Sequence, residues 1–189
     1  MTDTKEDTTN TKRGKLFMIL QTTRLYVRPF TEKDLEVFFE LNGDEQVMRY
    51  IRTPKSREGS ALFLTEVIDN YQRYPGLGRW AVIEKLSDAC IGMFSLLTLE
   101  HTNDIHIGYA LFPNHWGRGF ADELVKAGLE HAYKELRLPS VVAVTHSQNL
   151  ASQKILLNNS FEYTGFYNTG ERNEFLYRHN EGPDVQNSG

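Results

Sequence analysis

Residues 115–133 read HWGRGFADELVKAGLEHAY and place two glycines, Gly117 and Gly119, where a strongly periodic helix begins. Glycine is a poor helix former, so the pair indicates either a tight turn or a ligand that comes close to the backbone. The first turn of a helix carries unpaired N–H groups and a partial positive charge, which attract anions. The stretch matches neither the P-loop pattern nor the G-x-G-x-x-G fingerprint of dinucleotide sites. By itself it is compatible with a phosphate-binding turn and with an ordinary turn.

Strands and helices alternate on both sides of this helix. Hydrophobic periodicity, with turn and cap residues between the periodic segments, predicts the order β-α-α-β-β-β-α-β-α-β-β, which describes one mixed α/β (α+β) domain. The predicted strands cover residues 24–30, 80–86, 90–99, 104–112 and 140–145, followed by a hairpin around Thr169–Gly170. The other predicted helices run from a Thr31–Asp34 capping box through Leu41, from about Ser56 to Tyr74, and from about Leu150 to Asn158. The helix after Gly119 is predicted to bury Leu124, Val125, Gly128, Leu129, Ala132, Tyr133 and Leu136.

Length and composition predict one domain over residues 18–180, with a disordered polar tail at 1–17 and a loose tail at 181–189. The net charge of −4 argues against a broad nucleic-acid surface, and no segment approaches the ~18 apolar residues that cross a membrane. The single cysteine, Cys90, excludes an internal disulfide framework and favours a cytoplasmic setting. The histidines show no metal-ligand spacing, so we expect no metal site.

Several ordered motifs together resemble one family, the GCN5-related N-acetyltransferases (GNAT), and in particular its RimJ/RimL-like ribosomal-protein branch. The motifs are IGYALFPNHWGRGFADELVKAGLEHAY (107–133), QNLASQKILLNNSFEYTGF (148–166), RLYVRPFTEKDLEVFF (24–39), RWAVIEKL (79–86) and CIGMFSL (90–96). The resemblance covers roughly residues 18–178. It implies a mixed, mostly antiparallel central sheet flanked by helices. It also implies a splay between the fourth and fifth predicted strands, 104–112 and 140–145.

The resemblance also implies a cofactor, acetyl-CoA, held by the glycine-rich loop. In the family the pyrophosphate lies on backbone N–H groups of a loop of pattern [QR]-x-x-G-x-[GA], which falls here on residues 116–121 with Trp116 in the first position. The pantetheine arm pairs with the end of the preceding strand, where a backbone N–H would also stabilise the oxyanion. The implied cofactor contacts are Ala110, Leu111, Phe112, Trp116, Gly117, Arg118, Gly119, Phe120, Ala121, Asp122, Asn149 and Ser152.

Two residues are candidates for the proton transfers. Ser152 stands where the RimL-like branch has a serine that is a candidate general acid for the leaving thiolate; an ordinary helix-start serine is the alternative. Many relatives use a tyrosine seven residues after the asparagine, but that position is Leu156 here. His106 replaces the glutamate that this branch commonly carries two residues before the glycine of IGY. A histidine titrates near neutrality, so His106 is a candidate general base, with a structural histidine as the alternative.

These motifs predict an N-acetyltransferase that moves an acetyl group from acetyl-CoA directly to a primary amine in a ternary complex. The alternative is a non-catalytic acyl-CoA-binding or interaction module on the same fold. The amine is that of a protein N-terminus or of a small molecule, and the enzyme is expected to be a monomer or homodimer without a nucleic-acid or membrane partner. The segment 42–79 is expected to shape the acceptor pocket. Its proposed lining residues are Tyr50, Tyr71, Tyr74 and Trp80.

Overall fold

Eight strands form one sheet within residues 18–167 and 174–180, the two ranges that the computed structural model describes. The strands are β1 Leu20–Gln21, β2 Leu25–Pro29, β3 Gly78–Glu84, β4 Ala89–Thr98, β5 Ile105–Leu111, β6 Ser140–His146, β7 Glu162–Tyr167 and β8 Glu174–Asn180. Their spatial order is β1-β2-β3-β4-β5-β6-β8-β7. The mixed, mostly antiparallel sheet is therefore confirmed. The predicted tails at 1–17 and 181–189 and the turn at Thr169–Gly170 lie outside the described residues.

The helices begin where the sequence places capping residues. They are α1 Leu35–Gly43, α2 Glu45–Met48, α3 Arg57–Arg73, α4 Phe120–Lys134 and α5 Leu150–Asn158, with 3-10 turns at Glu32–Asp34 and Pro113–His115. The predicted capping box of Thr31 and Asp34 is present, and the Ser56 hydroxyl accepts from the Gly59 N–H at 3.1 Å. Within the two described ranges, no helix combines the length and the apolar character that spanning a membrane requires.

Helices pack on both faces of the sheet because neighbouring strand residues point to opposite faces. On one face, Phe94 and Ile107 pack with Leu124 of α4 and Leu156 of α5. On the other face, α1 and α3 cover a second cluster that includes Ala81, Ile83, Met93 and Ala110 from the sheet. The predicted buried side of α4 is confirmed, with Leu136 partly buried at its end.

A gap opens between β5 and β6 in the middle of the sheet. These two strands are parallel and are in register at one position, His106 with Val142, although both are described over their full length. All other neighbouring strands pair antiparallel over longer stretches or, for the two-residue β1, over its whole length. Beyond His106, β5 therefore leaves β6, which confirms the predicted splay.

Candidate functional site

A cavity of about 810 Å³ passes through the gap between β5 and β6. Its walls include Phe120 and Ile155 from the face covered by α4 and α5, and Met93 and Val47 from the face covered by α1 and α3. One end lies at the loop before α4, and the other lies under the segment 46–52. The cavity therefore joins the glycine-rich loop on one side of the sheet to a second chamber on the other side.

The loop at residues 117–122 presents a row of unpaired backbone N–H groups. None of these N–H groups donates to a described residue. The first intrahelical bond of α4 runs from the Glu123 N–H to the Gly119 carbonyl at 3.1 Å, so the helix leaves the N–H groups of residues 120–122 without a partner. Gly117 and Gly119 have φ of 70° and 77°, in the left-handed region that favours glycine. Alternation of such residues with right-handed ones turns successive N–H groups toward one point and makes an anion-binding concavity. Gly117, Gly119, Phe120, Ala121 and Asp122 all line the cavity.

Arg118 is turned away from this concavity. Its guanidinium forms an ion pair with Glu84 at 3.0 Å and lies over the Phe120 ring, 4.7 Å from the centroid. Its carbonyl accepts a hydrogen bond from Arg24 Nη1 at 2.9 Å, which fixes the loop to β2. Arg118 does not line the cavity, and the Phe120 side chain is core at 1% exposed, so the loop faces the cavity with its backbone.

The open edge of β5 belongs to Tyr109 and Leu111. The Phe112 N–H donates to the Ile91 carbonyl at 3.0 Å, and hydrogen-bonding direction alternates along an antiparallel ladder, so Ala110 also bonds toward β4. Tyr109 and Leu111 direct their backbone groups into the gap, where Trp116 Nε1 donates to the Leu111 carbonyl at 2.7 Å. The predicted edge of Ala110, Leu111 and Phe112 is thus corrected. Leu111 remains a candidate for backbone pairing with the pantetheine arm. Ala110 instead lines the cavity with its side chain, and Phe112 packs against the α1 and α3 cluster.

Ser152 lies in the cavity wall between the capping side chain of α5 and a tyrosine hydroxyl. Asn149, the cap of α5, accepts the Ser152 N–H at its Oδ1 at 3.2 Å. The Ser152 hydroxyl is 3.2 Å from the Tyr109 hydroxyl. Burial raises the pKa of Tyr109 to about 12, so this phenol stays protonated at neutral pH. Tyr109 was not among the predicted site residues. Leu156, at the α5 position where many members of the resembled family have a tyrosine, is 2% exposed.

His106 lies in the second chamber, beside Gly108. Burial, and next the positive charge of Arg79, lower the pKa of His106 to about 4. The expectation that His106 titrates near neutrality is corrected by this environment. The imidazole is neutral at pH 7, as a proton acceptor must be, but its basicity is low.

One of the four proposed pocket aromatics lines the cavity. Tyr50 does, and its ring stacks on His146 with centroids 5.4 Å apart. Trp80 is 2% exposed in the core on the α4 face, and the Tyr71 hydroxyl accepts the Phe30 N–H at 3.0 Å and donates to the Arg79 carbonyl. Tyr74 lies 56% exposed at the end of α3 and outside the cavity wall. The prediction for these three is corrected accordingly.

The sequence-based prediction missed the polar floor of the second chamber. Arg79, Ser95 and Gly108 stand side by side on β3, β4 and β5, and all three line the cavity. Strand alternation was the available signal, because it puts Arg79 on the face opposite its buried neighbour Trp80. Among the described residues, no group of three His, Cys, Asp or Glu side chains is arranged to hold a metal ion.

Known proteins share this architecture. A family model described as an acetyltransferase (GNAT) domain matches residues 24–162. The chain is 29% identical over 167 residues to the uncharacterized N-acetyltransferase YoaA of Bacillus subtilis, which covers 86% of this chain and 90% of YoaA. It is similar in structure to a GNAT-family acetyltransferase from Bacillus anthracis, with TM-score 0.75, 21% identity, and coverage of 85% of this chain and 97% of that one. RimL, a ribosomal-protein alpha-N acetyltransferase in complex with coenzyme A, has TM-score 0.72 at 20% identity, covering 86% of this chain and 97% of that one.

Proposed function

This chain is an acetyltransferase of the GNAT family, and we propose that it transfers the acetyl group of acetyl-CoA directly to a primary amine in a ternary complex. The observation that carries the proposal is the row of unpaired N–H groups at residues 117–122, which opens into a cavity that crosses the sheet. The loop would hold the pyrophosphate at one end, and the amine would enter from the other. The two substrates then meet in the gap between β5 and β6.

The backbone supplies most of the proposed cofactor contacts. Pyrophosphate oxygens would accept from the N–H groups of residues 117–122, with the helix dipole of α4 adding to the attraction. The pantetheine arm would run along the free edge of Tyr109 and Leu111, as an added strand does. Asn149 would contact this arm while it still caps α5. Asp122 already pairs with Lys126 at 2.8 Å, which offsets the carboxylate charge next to the phosphates.

The proposed reaction forms one C–N bond and breaks one C–S bond. The uncharged amine attacks the thioester carbonyl, and the N–H of Leu111, which points into the gap, would stabilise the oxyanion. As the C–S bond breaks, the Ser152 hydroxyl would protonate the thiolate; the serine would regain a proton from solvent in the open cavity, and His106 would release there the proton it has accepted. Because Tyr109 stays protonated, its hydroxyl can donate to Ser152 Oγ and so leave the serine proton directed at the sulfur. His106, neutral in this site, would accept the proton that the amine loses.

A pair of loop variants tests the cofactor assignment. Asparagine tolerates the left-handed backbone of Gly119 better than other side chains do. Gly119→Asn therefore adds a side chain to the loop with little backbone strain, and its Cβ would lie 3.4 Å from Arg24 Nη2. Loss of even one charge-assisted hydrogen bond should weaken acetyl-CoA binding by about tenfold or more in calorimetry. Arg118→Gln is the matched control, since this side chain lies outside the cavity and should change the affinity little.

The outcome also separates the two functions. Unchanged affinity in a folded Gly119→Asn protein would contradict the phosphate-loop assignment, and a large loss in Arg118→Gln would move the contact to the side chain. Turnover should then be measured with a panel of protein N-terminal peptides and small amines. Tight acetyl-CoA binding without turnover of any amine would favour the non-catalytic acyl-CoA-binding module.

A further inference from the structure

The floor of the second chamber is a polar row across three strands. Arg79 of β3 pairs in register with Ser95 of β4, and Ser95 pairs with Gly108 of β5, so the three share one face of the sheet. A Cβ on Gly108 would lie 2.8 Å from Ser95 Oγ and 3.3 Å from His106 Cε1. The absence of a side chain there therefore keeps the space beside Ser95 and His106 open.

Arg79 brings a positive charge into this chamber without a carboxylate partner. It forms no salt bridge with any described residue, and its guanidinium lies over the Phe63 ring, 5.2 Å from the centroid. Burial lowers the pKa of Arg79, and the negative charge of Glu66 offsets this only in part. Desolvating a cation without a counter-ion costs free energy, which a bound anion would offset.

Two further arginines reach the same chamber. Arg52 lies over the same Phe63 ring at 4.8 Å and donates to Asn42 Oδ1, and Arg49 lies over Tyr50 at 5.2 Å. Both line the cavity with Arg79.

The opposing charges lie at another part of the wall. Glu100 is exposed on the turn after β4, where its carbonyl accepts from the Tyr167 hydroxyl at 3.1 Å. Glu174 pairs with Tyr167 at the ends of β8 and β7. Tyr167 and both glutamates line the cavity, so the wall is positive at segment 46–52 and β3 and negative at the β7–β8 end.

We propose that the acceptor is an amine that also carries an anionic oxygen group, a carboxylate or a phosphate, and that Arg79 binds this group. The inference rests on the proposed acetyl transfer. A guanidinium binds such groups through two parallel N–H···O bonds, which fixes their orientation as well as their position. With the anionic group on Arg79, the amine would extend past Gly108 toward His106 and the gap, while the negative wall faces the ammonium form as it enters.

A binding experiment tests the anion site without relying on catalysis. Protein saturated with coenzyme A, so that the phosphate loop is occupied, is titrated with acetate and with inorganic phosphate and followed by NMR. Chemical shifts of the His106 ring and the Gly108 amide should move with the anion, and the affinity should fall about tenfold in Arg79→Met. Arg79→Lys should keep part of the affinity, and Arg57→Gln, which removes an exposed arginine paired with Glu36, should keep all of it. Equal anion binding in the wild type and in folded Arg79→Met would overturn the inference.

A turnover experiment then tests which amines the site selects. The rates with β-alanine and 2-aminoethyl phosphate are compared with those of β-alaninamide and ethanolamine, in the wild type and in Arg79→Met. Since each amine has its own pKa, the ratio of the two proteins for one amine is the relevant quantity. The ratio should fall about tenfold for the anionic amines alone, and their relative loss distinguishes a carboxylate from a phosphate acceptor. A uniform loss across the four amines would contradict the inference. If the anions bind at Arg79 but no amine is acetylated, the proposed acetyl transfer fails while the anion site stands.

Discussion

Replacing His106 by glutamine isolates the free-energy cost of burying a histidine next to an arginine. The folded protein holds the pKa of His106 at about 4, against roughly 6.5 in an unfolded chain. Between these values the unfolded chain binds more protons than the folded one. The free energy of unfolding therefore falls as the pH drops from about 6.5 toward 4, and His106 has no destabilising effect above pH ~6.5. The shift corresponds to at most about 3 kcal/mol, since His106 is partly open to the cavity and solvent there weakens the effect.

The measurement compares urea unfolding of the wild type and His106→Gln at several pH values from 7.5 to about 4.5. We expect the wild type to lose up to about 3 kcal/mol more than the variant across this range, because glutamine does not titrate. Other histidines titrate in both proteins, so the difference between the two curves belongs to His106. An NMR titration of the imidazole gives its pKa directly. Parallel stability curves, or a pKa near 6.5, would refute the environment described for His106.

Three further predictions address the reaction, the acceptor chamber and the end of α5. Ser152→Ala should lower kcat more than it raises the KM for acetyl-CoA, and Tyr109→Phe should lower kcat in the wild type but much less in the Ser152→Ala background; additive losses in steady-state kinetics would contradict a shared role. Gly108→Ala should raise the acceptor KM about tenfold with acetyl-CoA affinity unchanged, and Ser95→Ala in the same chain should restore part of it by removing the atom 2.8 Å from the new Cβ; no rescue would place the effect elsewhere. Ser160 has φ of 60°, so Ser160→Gly should raise the free energy of unfolding by about 1 kcal/mol in urea titrations, whereas an unchanged midpoint would mean that the backbone there is not strained.

The fold could be predicted where one short segment carries both a periodic pattern and a start signal. Helix α5 has the predicted bounds because Asn149 caps it, and α3 starts after the Ser56 cap. The two-residue β1 and the four-residue α2 were missed, since neither is long enough to show a period. Strand β1 exists because Leu20 and Gln21 pair with Val27 and Tyr26. Pairing between distant residues of this kind leaves no local pattern in the sequence.

The site residues could be predicted where a short motif carries them, as in the loop at 117–122 and at the Asn149–Ser152 start of α5. Gly117 and Gly119 indicated the turn before α4, because the proposed anion contacts there come from the backbone and the glycines alone signal that backbone. Tyr109 was missed because its proposed role depends on a contact with Ser152, 43 positions away in the chain, which the fold alone brings about. The proposed aromatic lining of the acceptor pocket was mostly wrong, because the sequence does not show which aromatic side chains face a cavity and which are buried in the core. Trp80 is apolar and large, and the core on the α4 face buries it.

Two features were not predicted from the sequence: Arg79, which has no salt bridge with a described residue, and the low pKa of His106. These two residues act on each other. The charge of Arg79 is one reason that the pKa of His106 is low, together with burial. An anionic group bound to Arg79 would neutralise that charge and add a negative one nearby, and both changes favour the protonated imidazole. The acceptor would thus make His106 a stronger base when the amine is in place, and the empty site would keep a neutral histidine that does not compete for protons. The same NMR titration of His106, repeated with phosphate bound to the coenzyme A complex, should show a higher pKa in the wild type and no change in Arg79→Met. An equal rise in both proteins would mean that the anion acts on His106 from somewhere other than Arg79.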